Sequence, residues 1–251
     1  MKIALVWGRF NPPHRGHGLL LATLEKYSEK GYEAILGLTR SEATPTDYRR
    51  AYRKVLEAGD DLKKRALILA DEISNPLTFS IKKELVNRIL QENNFTLSIF
   101  DNEKIRTIGE LFTYLAENNK KDITLIAGSD EVPKYKEFIE RHNNAQPLGL
   151  VVDAKVLSVG KRNPDSDIRD LGSIKGLSAT KLRYYAVLDE FESFAKGLGT
   201  TNKDLAWDIF QATSRGMEIP EKYKVTKQKK KDALEESVLA SYINDSFYGL
   251  G

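Results

Sequence analysis

The chain has no cysteine among its 251 residues. That excludes disulfides, thiolate catalysis and cysteine-ligated zinc or iron–sulfur centres. It also has no apolar run long enough to cross a bilayer, and Met1-Lys2 leads straight into a strand pattern. Neither a spanning segment nor export through a cleaved leader is therefore expected, and the cytoplasm is the expected compartment. Charge of one sign is scarce: 39 Lys and Arg against 36 Asp and Glu leave a formal net charge of +3, too little for general nucleic-acid binding. Histidine is scarce as well, with three in the chain, and two of these fall three residues apart. Hydrophobic content is not short. At 41% it is ample for a buried core in one large domain, or in one domain with an appendage.

Apolar stretches at 2–7, 33–38, 95–100, 122–127 and 148–157 read as strands buried on both faces. Between them, 18–30, 80–91, 107–118 and 133–143 carry helical periodicity with polar faces. This alternation predicts an α/β fold, a Rossmann-like doubly wound parallel five-stranded sheet with a helical C-terminal extension. Residues 1–217 form the α/β domain in this reading, with a helical insertion at about 40–74, and residues 218–251 form a tail. Ligands of open parallel sheets bind beyond the carboxyl ends of the strands. Three loops start there: 8–17, 39 onward, and 128–130.

The first loop carries the strongest chemical signal. Gly8-Arg9-Phe10-Asn11-Pro12-Pro13-His14-Arg15-Gly16-His17 joins a strand to a helix and sets two imidazoles at i and i+3, on one face of a helical turn. Beside them lie the first unbonded N–H groups of the helix, where anions bind. Gly16 has no Cβ to hold a phosphate off the backbone, and Pro12 and Pro13 stiffen the loop. The alternative is a proline-rich turn with two surface histidines. A second anion site is readable at Gly176-Leu177-Ser178-Ala179-Thr180-Lys181-Leu182-Arg183. Ser178 and Thr180 suit the cap and first turn of a helix at 181–187, Lys181 and Arg183 add cations, and an arginine fork grips two phosphate oxygens. Taken alone, a Ser/Thr cap before a helix is usually structural, and pairing with the histidine loop is what makes this stretch the other half of a site.

These residues resemble known signatures. Gly8, Phe10, Pro12, His14, Gly16 and His17 match the G-x-F-x-P-x-H-x-G-H pattern of the nucleotidylyltransferase superfamily, and the stretch ending in Arg183 is similar to its second signature, I-S-x-T-x-x-R. Gly128-Ser129-Asp130 and the residues following to Phe138 resemble the G-x-D segment of adenylyltransferases that make NAD. Ser74-Asn75-Pro76-Leu77-Thr78, Lys161-Arg162-Asn163-Pro164-Asp165 and residues 191–199 resemble a bacteriophage-encoded branch of the superfamily. The likeness spans roughly residues 1–217.

The resemblance implies a nucleotidyltransferase. Such an enzyme moves a nucleoside monophosphate, here AMP from ATP, onto a phosphorylated small-molecule acceptor such as nicotinamide mononucleotide in NAD biosynthesis and releases pyrophosphate. The alternatives are cytidylyl transfer to a phosphorylated alcohol, and a non-catalytic nucleotide-binding component of phage assembly or the virion. The resemblance assigns catalytic roles to His14, His17 and Arg183, the histidines on the attacking and α-phosphate groups and Arg183 on the leaving pyrophosphate. Gly8, Arg9, Phe10, Gly16, Gly128, Asp130, Ser178, Thr180 and Lys181 are placed around the nucleotide, with Asp130 equally readable as a helix N-cap. Mg²⁺ held mainly by nucleotide phosphates is the implied cofactor, with no protein metal ligand expected. For a phage-encoded protein the compartment is the host cytoplasm or the virion.

Several features stay open at this level. The stretches 47–57 and 61–73 read as two charged helices of the insertion, in which Arg49, Arg50 and Arg53, with Arg40 just before them, are either grips for an acceptor phosphate or parts of solvated faces. Trp7, Tyr184 and Tyr185 are base-stacking candidates or core, and His142 reads as a surface cap residue near a helix end. Residues 222–231 hold six lysines, followed by an amphipathic stretch at 233–243 and Phe247-Tyr248. This pattern predicts a docking arm through which the chain forms a homo-oligomer or meets an acidic partner, and neither membrane nor nucleic acid is the expected partner.

Overall fold

The computed structural model describes residues 1–147, 150–160 and 178–224. Its centre is a sheet of five parallel strands, β1 (Lys2–Gly8), β2 (Glu33–Leu38), β3 (Ile99–Phe100), β4 (Asp122–Gly128) and β5 (Asp153–Val159), in the order β3-β2-β1-β4-β5. The chain builds outward from β1 through β2 to β3, then returns to lay β4 against the other side of β1. The direction therefore reverses between β1 and β4, whose carboxyl ends are Gly8 and Gly128. A crevice opens at such a reversal because the flanking helices leave on opposite faces.

Alternation along β1 divides the core. Ile3, Leu5 and Trp7 point to one face, against Leu111, Phe112 and Leu115 of α5 (Ile108–Glu117) and Ile139 of α6 (Val132–Ala145). Ala4 and Val6 point to the other, against Leu21 and Leu24 of α1 (Arg15–Glu29) and Val86 and Leu90 of α4 (Phe79–Glu92). With both faces covered, the central strands β1 and β4 are buried from Ile3 to Trp7 and from Ile123 to Ala127, with Thr124 the one polar residue there, whereas the edge strand β5 departs from the expected burial and carries Asp153, Lys155 and Ser158. The doubly wound α/β architecture expected from the sequence is the one observed.

The insertion is a pair of helices, α2 (Pro45–Glu57) and α3 (Leu62–Glu72). Thr44 and Asp47 form a reciprocal capping box with Pro45 in the first turn, and Asp61 caps the backbone N–H groups of Lys63 and Lys64. Glu72 of α3 bridges Arg50 and Lys54 of α2. The pair does not stand apart from the domain. It packs on α7 (Ala179–Val187), which joins α8 (Phe191–Leu198) and α9 (Lys203–Met217) in a third core around Leu77, Leu182, Phe194, Ile209 and Phe210. Packing continues past Met217: Ile219 sits in a small cluster with Ala51 and Ile73, and Tyr223 stacks on Tyr48 with ring centroids 5.6 Å apart.

Three boundaries depart from expectation. The first helix begins at Arg15 rather than at residue 18, because His14 caps it. The third strand shrinks to Ile99–Phe100, because the N–H of Thr96 donates to the buried Glu25 carboxylate instead of a neighbouring strand. The fifth strand starts at Asp153, and residues 148 and 149 lie outside the described residues. So do Gly176 and Leu177 of the second signature, residues 161–165, and the tail from 225 onward, including most of the lysine run. Among the described residues no helix is long and apolar enough to cross a membrane.

Candidate functional site

The β1–α1 loop is shaped by one strained residue and one clamp. Phe10 has a left-handed backbone with φ of +47°, which costs a residue with a Cβ roughly 1–2 kcal/mol. Its ring is fully buried, which offsets that cost. Gly8 makes this possible, since a Cβ there would lie 2.7 Å from the Phe10 ring. The next residue, Asn11, is 1% exposed, and its amide oxygen accepts from the Leu77 N–H at 2.9 Å while its amide nitrogen donates to the Leu77 carbonyl at 3.4 Å. The loop is thereby tied to the α3–α4 link.

Both histidines are reciprocal caps of α1. The N–H of Gly16 donates to His14 Nδ1 at 3.0 Å, and the N–H of His14 donates to His17 Nδ1 at 3.2 Å. This is the geometry that a Ser or Thr and a Glu or Gln ordinarily make at a helix start. Here imidazoles make it. An imidazole whose Nδ1 accepts an N–H carries its proton on Nε2, so each ring is set as an Nε2–H donor. The rings lie 3.9 Å apart, and His17 stacks on Phe10 at 4.3 Å. Gly16 serves this arrangement more directly than a phosphate's approach: a Cβ there would stand 2.8 Å from His14 Cε1.

That contact gives a test of the cap itself. Gly16→Ala adds helix propensity worth about 0.5–1 kcal/mol but displaces the His14 ring, whose capping bond is worth about 1 kcal/mol. The melting temperature is expected to move little. Amide exchange at residue 16 should accelerate several-fold, because the His14 cap is the bond that protects it. Unchanged exchange would mean that the ring stays in place.

His14 and His17 line a cleft of about 210 Å³ together with Gly8, Arg9, Phe10, Gly128, Ser178, Thr180 and Arg183. Nine of the residues singled out in the sequence thus meet in one place, at the sheet's reversal point. Ser178 is the N-cap of α7 and accepts from the Lys181 N–H at 3.3 Å, so the first turns of α1 and α7 both wall the cleft. Asp130 and Lys181 are not among the lining residues. Asp130 folds back on Gly128, where a Cβ would meet its Oδ1 at 2.9 Å, and the α6 cap position belongs to Glu131 instead. Lys181 is 5% exposed and contributes its backbone N–H to the cap.

Arg183 is held more firmly than a ligand grip alone requires. At 5% exposure, its Nε donates to the Ala70 carbonyl at 2.8 Å, Nη1 to the Asn11 carbonyl at 2.7 Å and Nη2 to Thr180 Oγ1 at 3.0 Å. One N–H remains on each terminal nitrogen. Burial and the nearby Arg9 guanidinium together push its pKa down to about 10, against the pull of Asp71. Arg9 is exposed and makes no ion pair among the described residues. Two like charges in one cleft with two helix N-termini form an electrostatic setting built for an anion.

Four residues that were given no site role from the sequence also line the cleft: Thr39, which opens the second of the three predicted loops, and Ser74, Glu131 and Tyr135, which lie in stretches noted only for resemblance. The Thr39 N–H donates to the Gly8 carbonyl at 2.9 Å, which brings the end of β2 level with β1. Tyr135 donates its hydroxyl to the Trp7 carbonyl at 3.1 Å, and burial pushes its pKa up to about 12. Trp7 is a buried wall of the cleft, while Tyr184 and Tyr185 are core. The insertion arginines do not reach it. Arg40 pairs with Asp101 and lies over Phe79, Arg50 pairs with Asp47 and Glu72, Arg49 lies over Tyr223, and Arg53 is exposed. His142 is corrected from a surface cap to a packed residue: it stacks on Phe138, meets Phe112 edge-on, and has a buried Nε2 with no partner. Burial lowers its pKa. Compared with family models and with curated proteins, the chain matches none.

Proposed function

We propose that the chain is a nucleotidyltransferase that transfers AMP from ATP to a phosphorylated small-molecule acceptor, of which nicotinamide mononucleotide is an example, and releases pyrophosphate. The observation that carries this reading is the His14–His17 pair, fixed by its own capping bonds as two Nε2–H donors in a cleft with Arg9 and Arg183. The resemblance of both loops to nucleotidylyltransferase signatures supports it. In this reading an acceptor phosphate oxygen bonds to the α-phosphorus in line, the bond from that phosphorus to the bridging oxygen breaks, and pyrophosphate leaves with the electron pair. No protein atom becomes covalently attached. The protein's part is positioning and charge stabilisation. The imidazole N–H groups meet the charge that grows on the α-phosphate, and the two remaining Arg183 N–H groups meet the leaving pyrophosphate.

Mg²⁺ fits this scheme as an ion brought on the phosphates. Among the described residues no group of three or more His, Asp or Glu is arranged to hold a metal. A phosphate-borne Mg²⁺ needs only one or two carboxylates, and Glu131 is the carboxylate on the cleft wall. It would neutralise phosphate charge there.

The test is a pyrophosphate-release screen of ATP and CTP against phosphorylated acceptors that include nicotinamide mononucleotide. Mg²⁺-dependent release with ATP and one acceptor is the expected result. Release with CTP and a phosphorylated alcohol would move the reading to a cytidylyltransferase. ATP binding without release from any acceptor would replace it with a non-catalytic nucleotide-binding protein.

A further inference from the structure

Arg15 stands between the two histidines at the first position of α1, where its charge opposes the positive end of that helix's dipole. The structure gives it a partner 181 residues away: its Nη2 donates to the carbonyl of Lys196, in the last turn of α8. The last carbonyls of a helix have no partner within it, and a cation there is favourable. Gly199 ends α8 in the left-handed region, with φ of +79°, and the arginine stem lies against it. A Cβ on Gly199 would stand 2.8 Å from Arg15 Cγ and 3.4 Å from its Cα. The α8–α9 turn therefore meets both the side chain and the backbone of the residue that separates His14 from His17.

That turn has its own support. Thr200 Oγ1 lies 2.6 and 2.7 Å from the two carboxylate oxygens of Glu92, the last residue of α4, and the Asn202 N–H donates to Glu92 Oε1 at 3.3 Å. Asn202 in turn caps α9, whose Leu205, Ile209 and Phe210 lie in the third core. The histidine side of the joint is less well backed. A second cavity of about 210 Å³ is lined by His14, Arg15 and His17 at the start of α1 and by Leu198, Gly199 and Thr200 at the α8–α9 turn. Side chains that face a void lose packing contacts on that side, so the polar tie across it sets where the first turn of α1 sits. We propose that Arg15 is a positioning residue, which spans this joint and fixes the direction in which His14 and His17 face the α-phosphate. The proposal rests on the transferase reading. Arg15 is not among the residues that line the cleft, so it acts through the histidines rather than on a substrate. The C-terminal helices are then the platform to which the histidine turn is tied.

The experiment uses the full chain with Mg²⁺ and the triphosphate and acceptor that give release in the screen above, and follows kcat, KM and the imidazole NMR signals. Arg15→Met keeps a stem beside Gly199 but no donor. Its kcat should fall about 10- to 100-fold, the scale of a misplacement of about 1 Å. Its KM for the triphosphate should stay within about twofold of wild type, the pattern of an interaction that matters only in the transition state. Arg15→Lys keeps the charge and one donor for the one carbonyl, and should recover most of the rate. Gly199→Ala leaves every charge in place and pushes on the Arg15 stem. It should lower kcat, and it should move the His14 and His17 imidazole signals while leaving those of His142, the third histidine, where they are.

If the wild type releases no pyrophosphate with any acceptor, the transferase reading fails and the proposal with it. In an active enzyme, an Arg15→Met variant with wild-type kcat overturns the proposal alone. So does a loss confined to KM, which would place Arg15 on a substrate. An Arg15→Lys variant as slow as Arg15→Met overturns it too, because a tie to one carbonyl needs no fork. Imidazole signals that stay in place in Gly199→Ala would show that the joint does not reach the histidines, with the same consequence. Should Arg15→Met fail to fold, Gly199→Ala decides the matter, since it must show both the slower kcat and the moved signals.

Discussion

His14→Asn and His17→Gln are expected to lower turnover by roughly 10²- to 10⁴-fold, the range for loss of a positioned donor in the transition state, without unfolding the protein. The choice of replacements follows from the caps. Each imidazole accepts a backbone N–H at Nδ1, and the proposed function gives its Nε2 a second job in the cleft. Alanine would remove both, so a loss of rate would be ambiguous. Asparagine is a strong N-cap residue and glutamine a good partner three positions on, so these variants keep an acceptor for the Gly16 and His14 N–H groups while deleting the Nε2 donor. Melting temperatures within about 2 °C of wild type are expected, since a cap replaced by a comparable cap changes stability by a few tenths of a kcal/mol. Triphosphate binding should survive in part, because Arg9, Arg183 and two helix N-termini remain. Rates near wild type in folded variants, with saturating Mg²⁺ and the true substrates, would remove the histidines from catalysis.

The parts of the site legible in the sequence are those held within short stretches of chain. The i, i+3 spacing of His14 and His17, the cap-forming Ser178 and the glycines at strand ends are local patterns, and the parallel sheet then carries them to one crevice. What the sequence hid depends on contacts between distant segments. Asn11 stood inside the quoted loop, but its role needs Leu77, 66 residues away. Thr39 and Ser74 reach the cleft through β2 and through the link after α3, and no spacing rule joins them to the histidines. Lys82, buried with its Nζ on the Thr39 and Ser41 carbonyls, did leave a trace: it falls on the same helical stripe as Leu85, Val86 and Leu90, where a lysine contradicts an apolar face. The insertion arginines mislead for the opposite reason. Charges in a helical pair are satisfied by neighbours on the partner helix, as Glu72 satisfies Arg50 and Lys54, and sequence does not reveal which way that hairpin faces. His142 misleads likewise, because the helix end on which it sits is covered by Phe112 from another helix.

Arg183→Lys is expected to behave much more like Arg183→Met than like the wild type. The guanidinium spans three acceptors on three segments: Ala70 in α3, Asn11 in the histidine loop and Thr180 in its own helix. It therefore joins the insertion, the histidine loop and the second signature at one buried point. A methionine leaves those acceptors without their donor and Asp71 without the cation that counters its burial. Breaking a buried charged network of this kind costs about 3–5 kcal/mol, or roughly 6–20 °C in melting temperature for a chain of this size. A lysine restores the charge but not the reach, since one ammonium cannot occupy the positions of Nε, Nη1 and Nη2 together. It should recover less than half of the lost stability. Assayed below its melting temperature, the lysine variant should also show a raised KM for the triphosphate, because the paired N–H groups left for the pyrophosphate have no equivalent on an ammonium. Thermal melts and triphosphate titrations on the two variants test both halves. If the lysine variant melts with the wild type and keeps its triphosphate KM, charge alone is sufficient and the fork geometry has no part in either fold or chemistry. If stability falls but KM does not, Arg183 is a structural pin and the leaving group is met by Arg9, the other guanidinium on the cleft wall.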